Sequence, residues 1–256
     1  PLAGDPEQVI HPAARVSRVG VLGADQVGLK PTFHVQPGDR VRRGQLLFED
    51  KARPGVRHTA AAAGVVRALH RGARRAFEAL VIEVDDDDAP DAQWPFVSYT
   101  GAKPEQLSAD DVRALLLESG LWCALRARPF SRVPDPASSP RALFITAIDT
   151  RPQAPSVDVV LAGRMEEFHA GVAGLARLTQ GPTFVCVAPG SSVTAPAVPN
   201  VRLEVFDGPH PAGNAGTHIH FLSPVDLERS VWHVGYQEVA AIGRLLGTGR
   251  LAVERV

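Results

Sequence analysis

The chain has 256 residues, of which 45% are hydrophobic and 21% charged, the proportions of an ordinary globular protein. A net charge of −1 gives no electrostatic case for a nucleic-acid binder. The two cysteines, Cys123 and Cys186, stand alone without C-x-x-C or Cys/His ligand spacing, which argues against an iron–sulfur cluster or structural zinc and fits a reduced cytoplasmic setting.

No signal peptide opens the chain, and no apolar run approaches the ~20 residues that span a bilayer. Pro1 in place of methionine and the end at Val256 read as a piece of something longer. After a turn-rich lead-in, Val16 to Leu22 is expected as a strand and Gly23 to Gly28 as a loop. Residues 29–94 then read as a hairpin module in two similar halves. The first carries a turn at Pro37-Gly38-Asp39, then Val41, a turn at Gly44-Gln45, and Leu46 to Phe48. The second repeats it with Gly64, Val65 and Val66, then Arg71-Gly72, ending in the strand-like Leu80 to Val84. Gly38 and Gly64 are both expected at turns with positive φ. The rhythm resembles the barrel-sandwich of biotinyl and lipoyl carriers, in which a lysine on the hairpin between the halves takes the cofactor. Lys51 occupies that place, as a candidate attachment site or as a solvated loop lysine. The aspartates Asp85 to Asp88, with Asp91, lack the spacing of a calcium loop and read as a solvated boundary.

A second domain is expected over 95–256, so that residues 1–28 form a separate N-terminal segment. Ser108 reads as an N-cap with Asp111 three residues on; Val112, Leu115 and Leu116 share a helical face, and Gly120 stops the helix. Strands are expected at Ala142 to Ile148, Val157 to Ala162, Thr183 to Ala188 and Val201 to Phe206. Helices are expected at Glu166 to Leu178 and Tyr236 to Leu246. This alternation predicts an α/β sandwich on a mainly parallel sheet.

Three stretches offer chemistry. His210, His218 and His220 lie in a glycine- and proline-rich segment; on a strand, His218 and His220 would share a face with His210 as a third metal ligand. No carboxylate at fixed spacing completes that set, so a structural or partner-contacting loop is the alternative. Leu125-Arg126-Ala127-Arg128-Pro129-Phe130, expected as a loop, could recognise a carbonyl or an anionic ring, with Phe130 stacking on it, or could be an interface. Lys30 and His34 stand near the apolar Val27 and Leu29. Phosphate-cradling G-x-G-x-x-G and G-x-x-x-x-G-K-[ST] loops are absent, as is a G-x-S-x-G elbow.

Several unusual strings together carry a family resemblance: Gly28-Leu-Lys-Pro-Thr32, Phe48-Glu-Asp-Lys51, Gly55-Val56, Glu118-Ser-Gly-Leu-Trp122, Arg128-Pro-Phe-Ser131, Phe144-Ile-Thr-Ala-Ile-Asp149, Asp207-Gly-Pro-His-Pro-Ala-Gly213, Gly216-Thr-His-Ile-His-Phe221 and Gly235-Tyr-Gln237. From Pro1 nearly to Val256 the chain resembles the A subunits of the Na⁺-translocating NADH:quinone oxidoreductases. Members of that family continue beyond this length. The resemblance implies a peripheral subunit on the cytoplasmic side of the bacterial inner membrane, docked on the membrane subunits and associated with ubiquinone. It implies no redox cofactor on this chain, with flavins and iron–sulfur centres on other subunits.

The α/β domain is more distantly similar to the flavin subunit of complex I and to its Rnf counterpart, which bind FMN at a glycine-rich loop. Here Trp122 and two arginines stand where those glycines would be. Quinone binding requires an apolar slot, an aromatic partner and donors to the carbonyl oxygens. Leu22, Val27, Leu29, Lys30 and His34, with Leu125, Arg126, Arg128 and Phe130, supply those types. A pure scaffold without a ligand, and a flavin or nucleotide enzyme, are the rival readings.

Overall fold

A computed structural model describes residues 6–85, 92–227 and 229–256. The start of the lead-in and the aspartates at 86–88 and 91 lie outside them; Asp85 accepts a hydrogen bond from Arg40 Nη2 at 2.7 Å.

The N-terminal half carries β1 (Arg18–Leu22), β2 (Pro31–Phe33), β3 (Arg40–Val41), β4 (Leu46–Asp50), β5 (Arg57–Thr59), β6 (Gly64–Arg71) and β7 (Phe77–Val84). They form two sheets, ordered β1-β7-β6-β3 and β2-β4-β5. Each sheet takes strands from both halves of the repeat, which closes a small barrel-sandwich. Between the sheets Val41, Leu47, Phe48, Ala60, Val66, Leu80 and Ile82 are buried. Phe33, Phe48 and Phe77 meet there with ring centroids 5.2–5.3 Å apart. Arg18–Leu22, expected in a segment before the module, pairs residue for residue with β7.

Gly38 adopts φ +100°, as its turn requires. Gly64 does not: it opens β6, and a Cβ there would stand 2.0 Å from the Glu83 carbonyl oxygen. The constraint at Gly64 is thus strand approach and not a turn.

The second half carries α1 (Ala109–Ser119), β8 (Arg126–Arg128), β9 (Leu143–Ala147), α2 (Val157–Leu161), α3 (Met165–Leu175), β10 (Thr183–Val187), β11 (Val201–Val205), α4 (Ala215–Leu222), β12 (Val231–Gly235) and α5 (Tyr236–Thr248). The sheet runs β11-β10-β9-β12-β8, parallel except where β8 meets β12. Helices α1, α2, α3 and α5 share one core with Leu143, Ile145 and Val185. On the other face α4 sets Ile219 among Phe144, Phe184 and Val231. At α1 the capping box forms as its sequence implies, with the Ser108 hydroxyl accepting from the Asp111 N–H at 3.1 Å, and Gly120 closes the helix at φ +82°.

Three local expectations are corrected. Val157 to Leu161 is helix α2 and not a strand. Its short apolar run suits either, but Val157, Val160 and Leu161 are buried at helical spacing within the β9-to-β10 crossover. His218 and His220 lie on helix α4, where a spacing of two points side chains to opposite sides. Arg126 to Arg128 is an edge strand and not loop, held by pairing to β12.

The two halves are joined by the β4–β5 hairpin, whose Val56 enters the core of the α/β domain. Thr59 Oγ1 donates to the Ser119 carbonyl at 2.7 Å, and a Cβ on Gly120 would lie 2.9 Å from Thr59 Oγ1. The hairpin that carries the lysine in the biotinyl and lipoyl domains is therefore docked here, with Lys51 exposed beside it.

Two substitutions test these assignments by denaturant melts. Gly38→Ala is expected to cost about 1 kcal/mol through its positive φ. Gly64→Ala is expected to cost more, because the β6–β7 backbone must separate. Unchanged midpoints for both would contradict the strand pairing described.

Candidate functional site

Strands β10 and β11 lie on one side of β9, while β12 and β8 lie on the other. Such a reversal leaves a crevice beyond the carboxyl ends of the central strands, where open α/β sheets bind ligands. A cavity of about 500 Å³ occupies that place. Thr146, Ile148 and Asp149 line it from β9 and its exit; His233 and Gly235 line it from β12; Asn214 and Tyr236 line it from the starts of α4 and α5. Neither helix has a side-chain cap at its N-terminus. Its size falls within the ~300–1,000 Å³ typical of ligand pockets.

At the sheet edge, His233 pairs across from Arg126, and Val231 from Arg128. Alternation therefore puts Arg126, Arg128 and His233 on the same face, the one that α4 covers. Arg126 donates to the carbonyls of Cys123 and Leu125. Arg128 has no hydrogen bond or ion pair among the described residues, and its Nε is shut from solvent. His233 Nε2 is likewise buried and unpartnered. Burial, then the charges of Arg128 and Arg126, hold the His233 imidazole down to about 4. It is a neutral ring at neutral pH, able to donate or accept one hydrogen bond at Nε2. Within the cavity Asp149 is gripped by Arg151, whose Nε stands 2.9 and 3.1 Å from the two carboxylate oxygens and keeps that carboxyl well below its usual range.

On the far side of Arg126, a run of polar groups leads into the hairpin joint. The Asp50 carboxylate is buried, accepts from the Lys30 N–H at 3.0 Å and pairs with Arg53 at 2.9 Å. His58 stacks on Phe48 at 4.5 Å and lies 3.7 Å from Cys123 Sγ. Burial lowers His58 to about 4, with Asp50 opposing and Arg126 adding to the shift. Burial pushes the Cys123 thiol up to about 12 and Cys186 higher still, so neither is a thiolate at neutral pH.

The residues proposed from sequence separate into three places. Leu22 and Val27 are exposed on the barrel, Leu29 packs against its core, and Lys30 and His34 are exposed, with His34 Nε2 3.9 Å from Glu49. Leu125 is completely buried and serves packing. Arg126 and Arg128 do not line the cavity but share a sheet face with His233, which does, whereas Phe130 is 67% exposed, with the Arg132 guanidinium 5.9 Å above its ring. The three loop histidines do not converge. His218 is buried against Phe206, with Nε2 2.8 Å from the Ala212 carbonyl oxygen; His210 Nδ1 meets Thr150 Oγ1 at 3.2 Å; His220 is exposed. Among the described residues no group of three His, Cys, Asp or Glu side chains could hold a metal ion, and no helix is long and apolar enough to cross a membrane.

Sequence reasoning missed His233, Thr146 and Tyr236. The one available signal was a histidine inside an otherwise apolar strand, Val231 to Gly235.

Residues 107–251 match the NqrA second alpha/beta domain, and residues 1–85 match the NqrA N-terminal barrel-sandwich hybrid domain. The chain belongs to the NqrA family. It is 51% identical over 256 residues to the A subunit of the Na⁺-translocating NADH-quinone reductase of Pseudomonas aeruginosa PAO1, and 46% identical to that of Shewanella amazonensis. It is 48% identical to the corresponding subunit of Yersinia pestis. All of this chain is aligned in each case, against 56% of the relative, so it spans a little over half their length. Among solved structures, an NAD⁺-reducing [NiFe]-hydrogenase is similar over 62% of this chain and 35% of its own, at 16% identity and a TM-score of 0.40, too loose a likeness to carry an assignment. The two NqrA domain types are the barrel-sandwich and the α/β unit described above.

The buried histidines give the NqrA chain a defined pH response. Their folded values lie below the ordinary 6.5, so the unfolded chain takes protons first and stability falls as pH drops from 6.5 toward 4. His58 and His233 are each expected to contribute on the order of 3 kcal/mol to that loss. Denaturant midpoints measured from pH 7 to pH 4 check it. His233→Gln should flatten the curve, and a profile identical to wild type would contradict the buried neutral ring.

Proposed function

We propose that this chain is the quinone-holding and docking part of a peripheral subunit of a bacterial Na⁺-translocating NADH:quinone oxidoreductase, without a redox cofactor of its own. The observation that carries the reading is the pair of buried, unpartnered nitrogens on the sheet face that reaches the crevice, Arg128 Nε and His233 Nε2. A buried Nε–H without an acceptor is costly, and a ring carbonyl oxygen supplies one. The cavity is of ring size, and Ile148 and Pro155 give it apolar wall. The relatives' name, NADH-quinone reductase, supports a quinone as the ring in question.

Support for a cofactor-free chain comes from what fills the position of the flavin loop. Trp122 is completely buried there, donates Nε1–H to the Pro134 carbonyl at 2.9 Å and packs edge-on against Trp232. That space holds indole and not backbone amides free for a phosphate. Flavins and iron–sulfur centres then belong to partner subunits. The exposed apolar side chains Leu22, Val27, Phe130, Phe221 and Leu227 suit contact with membrane subunits at the cytoplasmic face.

Titrating the purified chain with a short-tailed ubiquinone analogue, FMN and NADH tests the reading. Quinone binding is expected alone, weakened about tenfold, or ~1.4 kcal/mol, in Arg128→Leu and in His233→Phe. Stoichiometric FMN, or quinone affinity indifferent to both substitutions, would overturn it. Loss of complex assembly with intact affinity in Phe130→Ala would assign that residue to docking.

A further inference from the structure

A second, smaller cavity of about 230 Å³ adjoins the first. It lies under the N-terminal strap, between Pro6–Ile10 and the Gln153–Pro155 turn with Val159. Pro155 and Val256 line both cavities, so the two spaces lie side by side at those residues. The strap is fixed at this point by a specific bond, since the Gln8 carbonyl oxygen Oε1 accepts the Ser156 N–H at 2.7 Å. Yet Val9 and Ile10 remain 53% and 51% exposed, large apolar side chains held at a groove without being covered.

The two spaces differ in character. Around the crevice stand Thr146, Asp149, Arg151, His233 and Glu238; the groove offers Val9, Ile10, Ala154, Pro155 and Val159, with Glu7, Gln8 and Gln153 also at its lining. A polar head space beside a more apolar groove is the arrangement of a site for an amphiphile. The groove alone is smaller than typical ligand pockets, so an occupant must enter it as part of something larger.

We infer that the groove beneath the N-terminal strap is the tail subsite of the crevice and takes the first part of the quinone's apolar side chain. This inference rests on the ring reading proposed above. The strap forms one wall, with Ile10 and Val9 laid along the tail, and Ala154 and Val159 form the floor. Covering these side chains removes apolar surface from water on both partners, which favours long-tailed over tailless quinones. It also gives the strap a function of its own, since Gln8 holds it in place as a wall and not as a loose terminus.

The experiment compares a decyl-tailed ubiquinone analogue with its tailless counterpart on the full-length protein. Wild type, Ile10→Glu and the groove-filling Ala154→Trp are titrated with both; the first variant alters an exposed side chain and the second a half-buried one. The expected result is a decyl advantage of about tenfold or more in wild type. Both variants should lose that advantage while the tailless affinity stays unchanged. A decyl advantage that survives both substitutions, or is absent from wild type while the tailless ring still binds, overturns the tail subsite alone. Failure of the tailless ring to bind wild type overturns the ring reading, and the tail subsite falls with it.

Discussion

The sheet grows in one direction from β9 to β10 and β11, then returns to place β12 and β8 on the opposite side. That reversal is the constraint on which the site depends. It separates the two loops leaving β9 and β12, and opens the crevice between the starts of α4 and α5. The same reversal leaves β8 as an antiparallel edge, bringing Arg126 and Arg128 onto one face with His233. Three basic side chains then share a face, with no carboxylate among the described residues paired to Arg128. Burial first, and then the charges of Arg128 and Arg126, drive the histidine neutral.

The barrel-sandwich is tied to this arrangement through its hairpin. Thr59 and Val56 hold the hairpin against α1 and the turn after it, and Asp50, His58 and Cys123 extend from that joint to the Arg126 carbonyl contacts. Lys30, far from Arg126 in sequence, reaches the same network through its backbone bond to Asp50. The two stretches that the sequence offered as quinone contacts thus stand on either side of the hairpin joint and do not line a shared pocket. Val56 and Thr59 hold the hairpin against the α/β domain, and Lys51 stands exposed beside it.

Much of the architecture was legible because local chemistry and tertiary demand agreed. Ser108 and Asp111 cap α1 as their spacing implies, Gly120 ends it in the left-handed region, and the glycine-punctuated repeat of 29–84 closes as a barrel-sandwich. Errors arose where one pattern served two structures. Val157 to Leu161 is an apolar run short enough for either a strand or a helical turn. Gly64 is required by contact with Glu83, which no local motif records. The site itself was only half readable. Arginines beside a proline draw attention in any sequence, so Arg126 and Arg128 stood out. His233, Thr146, Asn214 and Tyr236 come together only through the sheet order, and each looks ordinary in its own segment.

The central claim is that a quinone ring sits in the switch-point crevice against His233 and Arg128. A crystal structure of the protein with a short-tailed ubiquinone analogue tests it most directly. The account predicts ring density in the crevice with a carbonyl oxygen ~2.7–3.2 Å from His233 Nε2 or the Arg128 guanidinium. An ordered ring on the barrel surface around Leu22, Val27 and Lys30, with the crevice empty, would contradict it.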